Sequence, residues 1–125
     1  MPRWWNRLFG DRGERLAVRH LKKSGLKIIA RNYRNRFGEI DIIALDGQTI
    51  VFVEVKTRKS NAVGSPLEAV DESKQSKVIQ VAQAYLKERR LYEYSVRFDV
   101  IGIVWNESEK ESKPDLTHVR HAFTG

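Results

Sequence analysis

Gly38-Glu39-Ile40-Asp41-Ile42-Ile43-Ala44-Leu45-Asp46-Gly47-Gln48-Thr49-Ile50-Val51-Phe52-Val53-Glu54-Val55-Lys56-Thr57-Arg58 decides the fold of this chain. It divides into two apolar runs, Glu39 to Leu45 and Thr49 to Lys56, around an Asp46-Gly47 pair. Asp-Gly between alternating apolar segments is the strongest short-range signal for a β-hairpin. Both faces of both strands are largely apolar, which places the hairpin in the middle of a sheet covered on two sides. Charged residues interrupt the strands at Glu39, Asp41, Glu54 and Lys56. A buried ionised carboxylate is expensive unless it is paired, hydrogen-bonded or bound to a metal. These charges therefore need a chemical reason.

The parity of the turn supplies the first part of that reason. A two-residue loop at Asp46-Gly47 sets Asp41 opposite Phe52 and makes Glu54 its diagonal neighbour. A four-residue loop brings Asp41 and Glu54 face to face. In either register Asp41, Glu54 and Lys56 share one side of the ribbon, since strand side chains repeat with period two. A three-residue loop would separate them.

Working outward, Asp11 to Ser24 has helical periodicity, with Gly25 as its terminating residue. Ala17, Val18 and Leu21 form its apolar stripe, and Glu14 lies on the same face. Asp11-x-x-Glu14 also fits a capping box, so capping and catalysis weigh evenly for Glu14 on this helix alone. Trp4, Trp5, Leu8 and Phe9 share one side of a short terminal helix within residues 1–10. That segment is expected either to pack or fray at the end of the domain, or to present an aromatic patch to a membrane, a partner or stacked bases.

Leu26 to Tyr33 is an entering strand, followed by a basic connector containing Arg31, Arg34 and Arg36. Ser65-Pro66-Leu67-Glu68 is a helix start. The helix that follows, from about Asp71 to Arg90 and in one piece or two, buries Val78, Ile79, Ala82, Tyr85 and Leu86. Lys74 and Gln75 fall on that same stripe, pointing at the sheet. Tyr94 to Trp105 is another apolar strand, 106–115 a mobile charged loop, and Thr117 to Phe123 an edge strand. His118 and His121 alternate on that strand, so they point apart and are expected at the surface; His20 is structural or superficial. Asp99, inside an apolar strand, is a candidate buried acceptor.

Two adjacent carboxylates repel, and burial raises their pKa values unless positive charge stabilises the ionised forms. Mg²⁺ or Mn²⁺ does this with one or two carboxylates, leaving positions for water and phosphate oxygens. Lys56, two residues beyond Glu54 on the same face, is placed to hold a water or stabilise charge developing on a phosphate. For a lone Glu-x-Lys, a plain salt bridge is the better explanation. An additional aspartate on the neighbouring central strand, in a basic domain, shifts the balance to a metal site.

Asp41 followed by Glu54-Val55-Lys56 resembles the PD-(D/E)XK nuclease superfamily, which includes restriction endonucleases and Holliday-junction resolvases. More narrowly, Gly13-Glu14, Gly38-Glu39-Ile40-Asp41, Val51 to Arg58 and Arg97-Phe98-Asp99-Val100 resemble the small bacterial YraN-like family. Ile40 stands where the superfamily motif has proline. The resemblance implies an α/β fold with a restriction-endonuclease-like mixed central sheet flanked by helices. It implies metal ligation by Asp41 and Glu54, catalysis by Lys56, and Glu14 as the helix glutamate completing the metal site. It also makes a homodimer plausible, since resolvase-like proteins are often dimeric.

Composition sets the outer bounds. The 125 residues make one domain, 41% apolar, with 23 Lys and Arg against 16 Asp and Glu and a net charge of +7. That balance points to a polyanionic partner, nucleic acid before an anionic membrane, and the resemblance to DNA nucleases puts DNA ahead of RNA. Arg34, Arg36, Arg58, Lys59, Lys74 and Gln75 are the candidate contacts. The absence of cysteine excludes disulfides and thiolate metal sites. No apolar run is long enough to span a membrane, and residues 1–10 lack a secretory signal, so a cytoplasmic protein is expected. The expected activity is metal-dependent cleavage of nucleic-acid phosphodiesters. The alternatives are a non-catalytic nucleic-acid-binding module with the same charges as a salt-bridge network, and an accessory protein docking through Trp4, Trp5 and Phe9.

Overall fold

A computed structural model of the chain describes residues 3–59, 70–105 and 114–125, with side chains from residue 11 onward. Seven elements follow in order: α1 (Arg3–Lys23), β1 (Lys27–Asn35), β2 (Gly38–Asp46), β3 (Thr49–Lys59), α2 (Glu72–Glu88), β4 (Ser95–Trp105) and β5 (Asp115–Phe123). The strands form one sheet in the order β1-β2-β3-β4-β5. β3 and β4 are parallel and the other three pairings antiparallel, so the sheet is mixed. A parallel neighbour requires a crossover, and α2 lies in the connection from β3 to β4. The fold is α/β and restriction-endonuclease-like, with one helix on each face of the sheet.

Period-two alternation divides the core between those faces. Ala17 and Leu21 of α1 pack on Ile42, Ala44, Val51, Val53, Ile101 and Ile103. Val78, Val81, Ala82 and Tyr85 of α2 pack on Ile40, Ile43, Ile50, Phe52 and Phe98. The hairpin is thus buried on both sides, as its apolar pattern requires.

Three local details differ from the sequence reading. Helix α1 begins at Arg3, so Asp11 lies in its interior and the Asp11–Glu14 capping box is excluded. Gly10 and Gly13 make this segment a poor intrinsic helix, but tertiary packing outweighs propensity. At the other end Gly25 has φ +92, and the Leu26 N–H donates to the Leu21 carbonyl at 3.0 Å, closing α1 as expected.

The hairpin turn falls one residue later than expected. Asp46 pairs with Thr49, leaving Gly47-Gln48 as a two-residue loop. The positive φ is on Gly47, first of the two, as in a type II′ turn. Finally, alternation is broken at Asp41: Ile42 faces α1, yet Ile40 joins the α2 cluster with Ile43. Asn32 lies between the Arg31–Ile42 and Tyr33–Ile40 pairs, opposite Asp41, and has φ +51. This left-handed residue turns the local strand and carries Glu39 outward. Glu39 is exposed and paired with Arg34 Nη2 at 2.9 Å, which corrects its reading as an inward charge.

α2 is a single helix, capped by Asp71, whose Oδ1 accepts the Lys74 N–H at 2.8 Å. The helix start at Ser65-Pro66, residues 106–113 of the expected loop and the side chains of Trp4, Trp5 and Phe9 lie outside the described residues, and Asp115, read as the end of that loop, instead opens β5.

Candidate active site

The shifted turn has a direct consequence for the carboxylates. The β2–β3 pairing runs from Asp46–Thr49 to Ile42–Val53. Extended by one step, that register sets Asp41 across from Glu54 rather than diagonal to it, and the two carboxylates interact. The Val55 N–H here donates at 2.7 Å to Asp41 Oδ2, a side chain taking up a main-chain donor where the β2–β3 pairing ends.

Glu54 is 2% exposed, and its Oε1 is buried with no hydrogen-bond partner among the described residues. Burial, with the Asp41 charge added, pushes its carboxyl up to about 8; Lys74 and Lys56 pull the other way. Lys74 Nζ reaches across from the first turn of α2 to 4.0 Å from Glu54 Oε2. The helical stripe had placed Lys74 toward the sheet, and there it is. Lys56 is half-buried, and its ammonium is destabilised by burial and then by Lys74, against the opposing pull of Glu54 and Asp41. The structure therefore gathers Asp41, Glu54, Lys56 and Lys74 at one point.

Glu14 approaches from the opposite helix. It is 8% exposed, and Arg31 Nε and Asn32 Nδ2 each donate to its Oε1 at 3.1 Å. Burial raises its pKa, Arg31 lowers it, and the Asp41 charge contributes on the raising side. Asn32, the residue that turns β1 opposite Asp41, thus also holds Glu14. Glu14 reaches the sheet because Gly13 lies against Thr57: a Cβ at Gly13 would sit 2.5 Å from Thr57 Oγ1.

Among the described residues no group of three or more His, Cys, Asp or Glu side chains is positioned to hold a metal ion. The facing Asp41–Glu54 pair nevertheless suits a hard cation, which takes oxygen ligands. An unpartnered buried carboxylate oxygen is what such an ion would satisfy. Glu14 is within electrostatic reach of the pair but turned toward Arg31 and Asn32.

The remaining predicted contacts divide. Gln75 donates to the Val70 carbonyl at 2.9 Å and so serves the chain entering α2. Arg36 is exposed, with its guanidinium 4.7 Å from the Phe37 ring centroid. Arg58 and Lys59 extend β3 beyond Lys56 and both make interactions of their own.

Residues 13–103 match the sequence family described as Uncharacterised protein family UPF0102. A UPF0102 protein of Alkaliphilus oremlandii (strain OhILAs) is 48% identical over 120 residues, covering 94% of this chain and 99% of its own. Those of Rhodococcus opacus (strain B4) and Persephonella marina (strain DSM 14350 / EX-H1) are 44% and 46% identical over 118 and 114 residues. They cover 94% and 91% of this chain, and 98% and 91% of their own. The chain belongs to this family. It is the YraN-like family that the quoted motifs resemble.

In this UPF0102 chain the matched span contains Glu14, Asp41, Glu54, Lys56 and Asp99, and ends before His118. His118 is the polar residue that sequence reasoning misplaced. Its side chain is 7% exposed, and its Nε2 lies 2.8 Å from Asp99 Oδ2. Its Nδ1 lies 3.0 Å from His20 Nε2, linking β5 to α1. Asp99 is fully buried and also accepts from Arg97 Nε at 3.1 Å and the His121 N–H at 3.2 Å. Burial works against its charge, but His118 and Arg97 outweigh it and hold the pKa below the ordinary value. Arg97 continues to Asp46 Oδ2 at 2.8 Å. Leu116, two residues before His118, packs on the α1-side core, and this shared strand parity was the available signal.

Proposed function

We propose that this protein is a metal-dependent nucleic-acid phosphodiesterase, an endonuclease acting on DNA. The facing Asp41 and Glu54, with one Glu54 oxygen buried and unpartnered among the described residues, carry this reading. Asp41 and Glu54 would hold Mg²⁺ or Mn²⁺, with Glu14 the third carboxylate. Such an ion would supply Lewis-acid charge to polarise a phosphodiester and lower the pKa of water. Lys56 would hold the attacking water or stabilise charge developing on the phosphate, and Lys74 would add positive charge where phosphate oxygens arrive. The +7 net charge supports a polyanionic substrate.

A second reading, a non-catalytic nucleic-acid-binding module, is favoured by the internal pairing of Glu14 with Arg31 and of Glu54 with Lys74. Cleavage of linear, flapped and branched DNA with Mn²⁺ or Mg²⁺ separates the two. A nuclease loses cutting by about 10²-fold or more in Lys56→Ala while keeping its circular-dichroism spectrum. A binding module cuts nothing in any metal, yet keeps salt-dependent DNA affinity in Lys56→Ala and Asp41→Asn.

A further inference from the structure

The β1–β2 turn and the outer face of α2 form an open groove of about 650 Å³, continued by a smaller one of about 320 Å³ that shares Arg36, Phe37, Ala84 and Lys87 with it. Arg36 and Phe37 form its turn side. Gln80, Gln83 and Lys87 line the helix side at the i, i+3, i+7 spacing of one stripe. Arg90, held at φ +54 just beyond α2, closes one end. Glu88 is the one carboxylate among these lining residues, and it is 3.8 Å from Arg89. The groove is therefore cationic, with amide donors along its floor and an aromatic ring at its lip.

The lip is held in place. Asn35 Oδ1 accepts the Phe37 N–H at 2.9 Å, and Asn35 Nδ2 donates to the Val81 carbonyl of α2 at 3.2 Å. One side chain thus shapes the turn and fastens it to the helix. The result is an exposed Phe37, 39% accessible, with the Arg36 guanidinium over its ring. An exposed aromatic ring backed by arginine on a fixed turn stabilises nothing in the core. It does suit stacking against a base, with the cations taking the phosphates.

Phe37, immediately before β2, precedes Asp41 by four residues, a separation of about 13 Å along an extended chain, or roughly four steps of a stacked nucleotide strand. We propose that this groove is the track for a single-stranded segment of nucleic acid lying about four nucleotides from the bond cleaved. The proposal rests on the phosphodiesterase reading for the cleavage, but not for the binding.

The test is fluorescence anisotropy with labelled oligo(dT), oligo(U) and a blunt duplex, in EDTA, so that binding is measured without cleavage. Wild type binds at least one single-stranded probe, and Phe37→Ala and Lys87→Glu each weaken it about 5- to 100-fold, a change of about 1–3 kcal/mol. Which single strand is weakened distinguishes DNA from RNA. Duplex affinity changes less in both variants. Both positions are surface-exposed, and unchanged circular dichroism confirms the fold. If wild type binds neither single strand, or both variants bind as wild type does, the proposal is overturned. If groove-dependent binding is found but no metal supports cutting, the groove stands and the nuclease reading falls. If wild type cuts DNA while the variants bind and cut normally, the opposite holds.

Discussion

Asp41 and Glu54 lie beside each other just beyond the last paired residues of β2 and β3, and Asp41 accepts a main-chain donor, the Val55 N–H. The geometry keeps Glu54 in an uneven position: buried, beside another carboxylate, with one oxygen unpartnered among the described residues. Its pKa, about 8 against an ordinary value of 4.5, follows from that placement.

This makes stability depend on pH in a definite direction. Between 4.5 and about 8 the folded protein binds a proton at Glu54 that the unfolded chain releases. The stabilisation is complete below the lower value and is lost as pH rises through the upper one. Without divalent metal, urea midpoints should fall from pH 5 to pH 9, by an equivalent of a few kcal/mol at about 1.4 kcal/mol per pH unit. Glu54→Gln should flatten this profile. A wild-type profile that rises across the window would remove the basis for Glu54 being protonated.

Divalent metal should reverse the penalty. Mg²⁺ or Mn²⁺ binding the folded state alone, at about a hundredfold over Kd, adds about 2.7 kcal/mol, on the order of 10 °C in Tm. Thermal scans with and without Mn²⁺ should show that increment in wild type and its loss in Asp41→Asn and Glu54→Gln. An equal shift in all three proteins would mean that the ion binds elsewhere.

The Asp99 cluster should behave in the opposite sense to Glu54. Its pKa is held low by His118 and Arg97, so its stabilisation is present above the ordinary carboxylate value and lost as pH falls toward the depressed one. Asp99→Ala leaves the Arg97 guanidinium with Asp46 and strands His118 beside His20. Breaking a buried pair from one side costs about 3–5 kcal/mol. The check is the denaturant midpoint at neutral pH, and a loss below about 1 kcal/mol would contradict the cluster's structural role. His20, its pKa lowered by burial and then by His118 and Arg120, should resist protonation until pH falls below its ordinary range.

Local rules made the central hairpin, its burial on both sides and the shared face of Asp41, Glu54 and Lys56 legible in the sequence. The hairpin and its burial follow from period-two alternation, and the turn parity survived a one-residue displacement of the turn itself, while alternation gives way only at Asp41. The inward aim of Lys74 was legible from helical spacing. The start of α1 was not, because two glycines and no capping residue conceal a helix that packing against the sheet maintains. Nor was the reversal at Asp41, which depends on a left-handed Asn32 across the strand pair. His118 was misplaced for a similar reason: its partner His20 is 98 positions away, and reading β5 alone gives no sign of it.

Gly13 offers the most direct check on how α1 delivers Glu14. In an isolated helix Gly→Ala gains about 1 kcal/mol. Here the new Cβ would lie 2.5 Å from Thr57 Oγ1 and 3.6 Å from Ile103 Cδ1. Thr57 is β-branched and stiff at χ1, so α1 must move away from β3, carrying Glu14 with it. Overpacking of this kind costs about 1–3 kcal/mol, so Gly13→Ala should lower the denaturant midpoint despite its better propensity. In a Thr57→Ala background the obstructing oxygen is gone, and the same change should be neutral or stabilising by about 1 kcal/mol. A double-mutant cycle reads the difference. If Gly13→Ala has the same effect in both backgrounds, close approach to Thr57 is not what seats the helix. On the proposed metal site, Mn²⁺ affinity measured alongside should weaken in Gly13→Ala and recover in the double variant, because the displaced backbone carries Glu14 away from Asp41 and Glu54.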